Sequence, residues 1–295
     1  MSSVTDFGRE LLRTGDLDPV YVALHGAQLD RPTLARFCVA YWCFYHVGLA
    51  ATLAEIKSPK KYWEAMMKAA VNEGLNLDGA KPFPRGGERR HYRGAQAVAS
   101  MASLISLYPR GAEQAVEGFI GAPQGYAYHT YKSVATAVQK HRGFGEWIAF
   151  KIADMSERVL GYDTDFSDCH LGIYKDPRQG AAVACLEENT EAWRDWEVHV
   201  GGDVAVKPWN YPITDSELKH TVDHYIKVFR KFKAPPSGDR PVNVQEVETI
   251  FCKYKSHLKG HYPMGKDTLE IRHGLAGWGG DVAKLLLAHM PKVAV

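Results

Sequence analysis

KHRGFGEWIAFKIADMSERVLG, residues Lys140 to Gly161, carries the reading of the fold. It is a helix end, a Gly143-Phe144-Gly145 hairpin and a second helix, with Trp147, Ile148, Ile152, Met155 and Val159 as its apolar stripe. This is the outline of a helix-hairpin-helix. Glycines in such a hairpin let backbone N–H groups approach a nucleic-acid phosphate, aided by the positive end of the following helix. The same spacing also fits an ordinary interhelical turn. Within the second helix Lys151 and Asp154 lie three residues apart and share a face. They form either a site or a plain ion pair, with Arg158 one turn on as a rival partner for Asp154.

Outward from this segment the chain reads as mainly α. Asp30 and Pro32 open one helix, Ser58 and Pro59 another, and Thr214 with Glu217 makes a capping box ahead of Leu218, Val222, Tyr225 and Phe229. Helices are expected near Ala95 to Tyr108, Ala112 to Ile120, Tyr126 to His141, from Asn243 to Leu258, Lys266 to Leu275 and Asp281 to His289. Gly161 to Pro212 is the least regular part, with one helix expected around Leu186 to His199 and a short strand at Val204 to Val206. Ala234 to Pro241 reads as a linker. The expected organisation is a helical region over 1–160 ending in the hairpin element, an irregular insertion over 161–213, and C-terminal helices over 214–295 that complete the same fold.

The 295 residues hold 36 Lys and Arg against 34 Asp and Glu, so any basic surface must come from local clustering. Two clusters stand out. Arg85 to Gly94, RGGERRHYRG, sets Arg85, Arg89, Arg90 and Arg93 with His91 against one acid, Glu88. Guanidinium forks match phosphate oxygens bidentately, although solvated loop arginines are also common. Cys252 to Lys266, CKYKSHLKGHYPMGK, holds Lys253, Lys255, Lys259 and Lys266 with His257 and His261 and no acid. Lysines interleaved with rings suit a surface that tracks a nucleic-acid backbone, or a merely solvated helix face. The five cysteines include no Cys-x-x-Cys pair, and no metal site is expected. Serine-hydrolase, Walker and dinucleotide motifs are absent from the sequence. Phe37 to Ala54 carries no charged residue but has Tyr41, Trp42, Tyr45 and His46 at its middle, which favours a buried helix over a membrane span.

LLRTGDLDPVYVAL (Leu11 to Leu24), AYWCFYHVG (Ala40 to Gly48), GERRHYRG (Gly87 to Gly94), GEWIAFKIADMSERVLG (Gly145 to Gly161), YKDPRQGA (Tyr174 to Ala181) and CKYKSHLKGHYPMGKD (Cys252 to Asp267) together resemble the alpha-glutamyl/putrescinyl thymine pyrophosphorylases, clade 2. These are amino acid:DNA transferases of bacteriophage thymine hypermodification. The resemblance implies a fold related to helix-hairpin-helix DNA glycosylases. It also implies a reaction on double-stranded DNA carrying 5-(pyrophosphoryloxymethyl)uracil, made beforehand by a 5-hydroxymethyluracil DNA kinase. An amine, from an amino acid or a polyamine, would displace pyrophosphate in the cytoplasm of the infected bacterial host. The resemblance names no definite cofactor and leaves open a divalent cation bound with the pyrophosphate.

On that reading Arg85, Arg89, Arg90 and Arg93 hold the pyrophosphate and His91 donates a proton. Asp154 with Lys151 handles the amine, and Asp163 is the alternative base because it lies beyond the hairpin where glycosylases keep an essential Asp. DNA is gripped by Gly143, Phe144 and Gly145 and by Lys253, Lys255, His257, Lys259, His261 and Lys266. The glycosylase pattern is departed from at Trp147, where a lyase-type enzyme has Lys, and in the absence of its four-Cys cluster. Attack on the pyrimidine by the Cys43 or Cys252 thiolate is a further option that apolar helical surroundings disfavour. A glycosylase of modified bases and a non-catalytic DNA-binding protein are the competing readings.

Overall fold

The computed structural model describes residues 3–75, 94–120, 129–171, 174–189, 191–192, 194–196 and 207–292. They are mainly helical: α1 (Val4–Thr14), α2 (Pro19–Ala27), α3 (Arg31–Phe44), α4 (Val47–Ala54), α5 (Pro59–Leu75), α6 (Gly94–Leu107), α7 (Ala112–Ile120), α8 (Tyr131–Gln139), α9 (Glu146–Arg158), α10 (Lys175–Glu188), α11 (Asp215–Phe229), α12 (Val244–Leu258), α13 (Lys266–Trp278) and α14 (Asp281–Ala288). Two two-residue strands, β1 (His129–Thr130) and β2 (Thr164–Asp165), pair in parallel, with His129 opposite Thr164.

The chain divides into two compact units. One comprises Met1–Pro19, Cys169–Thr268 and Pro291–Val295; the other comprises Val20–Asp168 and Leu269–Met290. In the first, α12 packs against α10, α1 and α11 around Phe7, Tyr225, Phe229, Phe251 and Tyr254, all buried. Gly180 on α10 sets the closest approach. A Cβ there would lie 2.1 Å from the Phe251 carbonyl oxygen, so only glycine lets the two helix backbones meet.

α10 corrects the expected irregular middle segment. Its core-facing residues are the small run Gly180 to Ala184 rather than a stripe of large side chains, which hides the helix from a periodicity reading. Of the helix placed at Leu186 to His199, residues 186–188 are the end of α10, and the described residues 191–192 and 194–196 beyond it are helical as expected. The strand placed at Val204 to Val206 lies outside the described residues. Ala234 to Pro241 is a closed turn rather than a linker. Ala234 N donates to Arg240 O, and the Arg240 guanidinium reaches Glu246 at 3.0 Å and Gln245 at 3.0 Å.

In the second unit α3 packs on α4, α5 on α6, and α8 on α9. Asp30 caps α3 by accepting from Thr33 N at 2.7 Å. The uncharged run Phe37 to Ala54 is two helices, because Tyr45 takes a left-handed conformation (φ 48°, ψ 40°) and His46 caps α4 through Leu49 N. Among the described residues no helix is long and apolar enough to cross a membrane.

Candidate functional site

α8 and α9 pack on each other, joined by a turn built around His141, Gly143 and Gly145. His141 lies over Tyr108, whose hydroxyl donates to Nε2 at 2.5 Å while Nδ1–H donates to Val138 O at 3.0 Å. Burial holds the His141 pKa below the usual histidine value, which fits this neutral tautomer. Gly143 has φ +87°, a left-handed backbone that side chains disfavour. Gly145 is the N-cap of α9, makes no side-chain cap, and a Cβ on it would meet nothing within 4 Å. The first turn of α9 is thus uncapped by its N-cap side chain, with open space where a Cβ on Gly145 would stand.

Phe144 does not share that exposure. Its ring is 6% exposed and lies 5.2 Å from Phe119, so it plugs the turn into the core instead of facing a ligand.

On α9 the structure brings Lys151 and Asp154 together and adds two residues. Asp154 is wholly buried; its carboxylate accepts from the Tyr21 hydroxyl at 2.7 Å and lies 3.4 Å from Arg158 Nη1 and 3.8 Å from Lys151 Nζ. The Arg158 guanidinium lies 4.6 Å from the centre of the Tyr21 ring. A buried carboxylate survives only with such partners, and these enclose it from solvent. Asp163, by contrast, is exposed, and its main-chain oxygen accepts from His129 N.

In the other unit the Cys252 to Lys266 segment is not a uniform lysine face. Lys253 is 4% exposed. Its ammonium donates to Asp16 O and to the Tyr262 hydroxyl, and pairs with Asp267 at 2.7 Å. The Asp16 carboxylate in turn accepts from Tyr262 OH, Gly265 N, Thr268 N and Thr268 Oγ1 at 2.7–3.0 Å. Burial, with Asp267 and Asp16 beside it, raises the Tyr262 phenol far above its usual range, so it stays a donor. His257 Nδ1–H donates to Tyr262 O, and its ring packs on Phe7. His261 is exposed, and its carbonyl accepts from Lys266 Nζ. Lys255 pairs with Asp176 of α10, and the Lys259 ammonium lies 4.9 Å from the centre of the Trp209 ring.

Arg85, Arg89, Arg90, His91 and Arg93 lie outside the described residues. Cys43 is buried and Cys252 partly so. Among the described residues no group of three or more His, Cys, Asp and Glu could hold a metal ion.

Residues 12–262 match the family described as Amino acid:DNA transferase. The chain belongs to the amino acid:DNA transferase family. As such it is an enzyme of the transferase class. The chain is also 42% identical over 294 residues to a glycinyltransferase of Pseudomonas phage PaMx11, covering 99% of this chain and 97% of that protein. A putrescinyltransferase of Delftia phage PhiW-14 is 26% identical over 290 residues, covering 98% of this chain and 83% of that protein. In this amino acid:DNA transferase, sequence reasoning missed Asp16, Tyr21 and Tyr45. Tyr21 and Asp16 stand inside LLRTGDLDPVYVAL, but their partners lie far along the chain. Tyr45 gave no signal, since nothing in AYWCFYHVG announces a left-handed tyrosine whose ring meets Trp147 at 5.1 Å.

Proposed function

We propose that this chain replaces the pyrophosphate of 5-(pyrophosphoryloxymethyl)uracil in phage DNA with the amino group of glycine. The observation that carries the reading is the 42% identity over 99% of the chain to a glycinyltransferase. The amine nitrogen forms a bond to the C5 methylene, the methylene C–O bond breaks, pyrophosphate leaves, and the amine loses a proton to a base.

Asp163 serves as that base; its exposure supports the choice over Asp154, which is enclosed by Tyr21 and two cations. Arg85, Arg89, Arg90 and Arg93 neutralise the departing pyrophosphate, with His91 as proton donor. The α8–turn–α9 element acts as a helix-hairpin-helix of the DNA-glycosylase kind, holding a duplex phosphate at the open terminus of α9 while the base is flipped out. The reaction follows a 5-hydroxymethyluracil DNA kinase in the cytoplasm of the infected host.

The test is to incubate the protein with pyrophosphorylated 5-hydroxymethyluracil DNA and a panel of amines that includes glycine, glutamate and putrescine, then digest to nucleosides for mass spectrometry. A glycine adduct with pyrophosphate release supports the reading. Abasic DNA points to a glycosylase, and binding without any adduct to a DNA-binding protein. Arg89→Ala and Arg90→Ala each lower turnover by roughly ten- to hundredfold if the loop carries the leaving group.

A further inference from the structure

Within the unit that contains α10, the first turns of that helix and the segment Trp209 to Ile213 form an open surface pocket of about 510 Å³, lined by Lys175, Arg178, Trp209 and Tyr211 among others. That volume is in the range of small-molecule sites. Arg178 is fixed as one wall, donating to Asp215 at 2.8 Å and to Ile213 O at 2.6 Å. Trp209 forms another wall, with the Lys259 ammonium 4.9 Å from its ring centre. Tyr211 is held by its hydroxyl donating to Glu217 at 2.7 Å.

Four cations and three acids stand around this pocket, a small positive excess. Lys175, Arg178, Lys255 and Lys259 gather there, while Asp176 pairs with Lys255 and Asp215 with Arg178. Glu217 is engaged by the Thr214 cap and Tyr211. Burial, then the neighbouring charge of Lys255, with Lys175 in the same sense and Asp176 opposing, leave the Lys259 ammonium below the ordinary lysine value. Crowded ammonium groups repel, and an anion between them removes that cost.

We propose that this pocket is a second phosphate site, in which Lys175, Lys259 and the fixed Arg178 hold a phosphate group beside the Trp209 indole. The pocket is open, so it leaves room for an anion that is part of a larger group. Two sources share this chemistry: free pyrophosphate, and a backbone phosphate of an unpaired strand whose base rests near the indole. The choice of those two sources rests on the proposed reaction. The site itself rests on the lining of the pocket and the cations around it, not on that reaction.

Calorimetric titration at constant ionic strength tests it without amine and without turnover, so the result is independent of whether the transferase reading holds. The probes are inorganic pyrophosphate and a short single-stranded oligonucleotide, titrated into the parental protein and into the Lys175→Ala, Lys259→Ala double variant. Circular dichroism confirms that the variant is folded. Saturable binding weakened at least tenfold in the double variant supports the site. Loss of the pyrophosphate signal assigns the free anion, and loss of the oligonucleotide signal alone assigns the strand. Failure of both probes to bind, or equal affinity in the parental protein and the double variant, overturns the proposal.

Discussion

The Tyr21 hydroxyl donates to the Asp154 carboxylate at 2.7 Å across 133 residues of chain, and the same phenol ring lies under the Arg158 guanidinium. Tyr21 therefore joins α2 to the buried charges of α9. Asp154→Asn keeps the shape but leaves Lys151 and Arg158, with side chains 8% and 2% exposed, without their carboxylate. The expected cost is about 3–5 kcal/mol, as for other buried pairs that lose one partner. Urea unfolding of the parental protein and of Asp154→Asn measures it. An unchanged midpoint would show that the buried charges do not hold α9, and would return Asp154 to the list of candidate bases.

The two lysines Lys253 and Lys259 sit six residues apart and should respond in opposite ways. Lys253 holds Asp16, Tyr262 and Asp267 together, so Lys253→Ala is expected to lower stability by at least ~2 kcal/mol. Lys259→Ala should leave the unfolding midpoint within ~0.5 kcal/mol of the parental value while flattening the log–log salt dependence of DNA binding by about 0.9 if it contacts one duplex phosphate. Melting curves and anisotropy titrations at several salt concentrations separate the two. The assignment fails if Lys253→Ala is as stable as the parental protein.

Local pairings were legible in the sequence and distant ones were not. The spacing of Lys151, Asp154 and Arg158 at three and four residues already implies ion pairing on one helix face, and the structure shows both contacts. Tyr21 was invisible because a contact over 133 residues leaves no period in the chain. Lys253 does carry a signal in the sequence. It lies three residues after the buried Ile250, on the edge of the apolar stripe of α12, where a lysine can bury its stem. What periodicity could not show was an acidic partner at Asp16 to meet its ammonium. α10 escaped for a different reason, since small residues chosen for close helix packing carry little hydrophobic signal.

His141 gives a pH dependence whose direction is fixed by its surroundings. Burial is the main effect and depresses its pKa below 6.5, against the carbonyls of Val138 and Ala137 that pull it up. The unfolded chain then binds the proton more readily than the folded one, so stability is complete above the unfolded value. It declines as pH falls through 6.5 toward the lower folded value, and changes no further below it. His141→Gln removes this contribution. Its stability relative to the parental protein should therefore improve between about pH 7.5 and about pH 5.5, read from urea midpoints at each pH. A constant difference across that range would mean that His141 is not held neutral.

The terminus of α9 offers a test in which stability and binding move in opposite directions. Gly145 occupies the N-cap with extended backbone (φ −109°, ψ −169°), makes no side-chain cap, and has open space where a Cβ would stand. An aspartate fits there without strain and can accept from the first-turn N–H groups, which stabilises a helix by ~1 kcal/mol. The same carboxylate occupies the position proposed for a DNA phosphate and repels it. Gly145→Asp should thus raise the unfolding midpoint while weakening duplex binding and reducing its salt slope by about 0.9, the loss of one phosphate contact. Gly145→Ala, which adds neither a cap oxygen nor a charge, should leave binding near the parental value and serves as the steric control. If Gly145→Asp gains stability and binds duplex DNA as the parental protein does, the open end of α9 faces solvent in the complex, and the grip on DNA must be sought elsewhere on the chain.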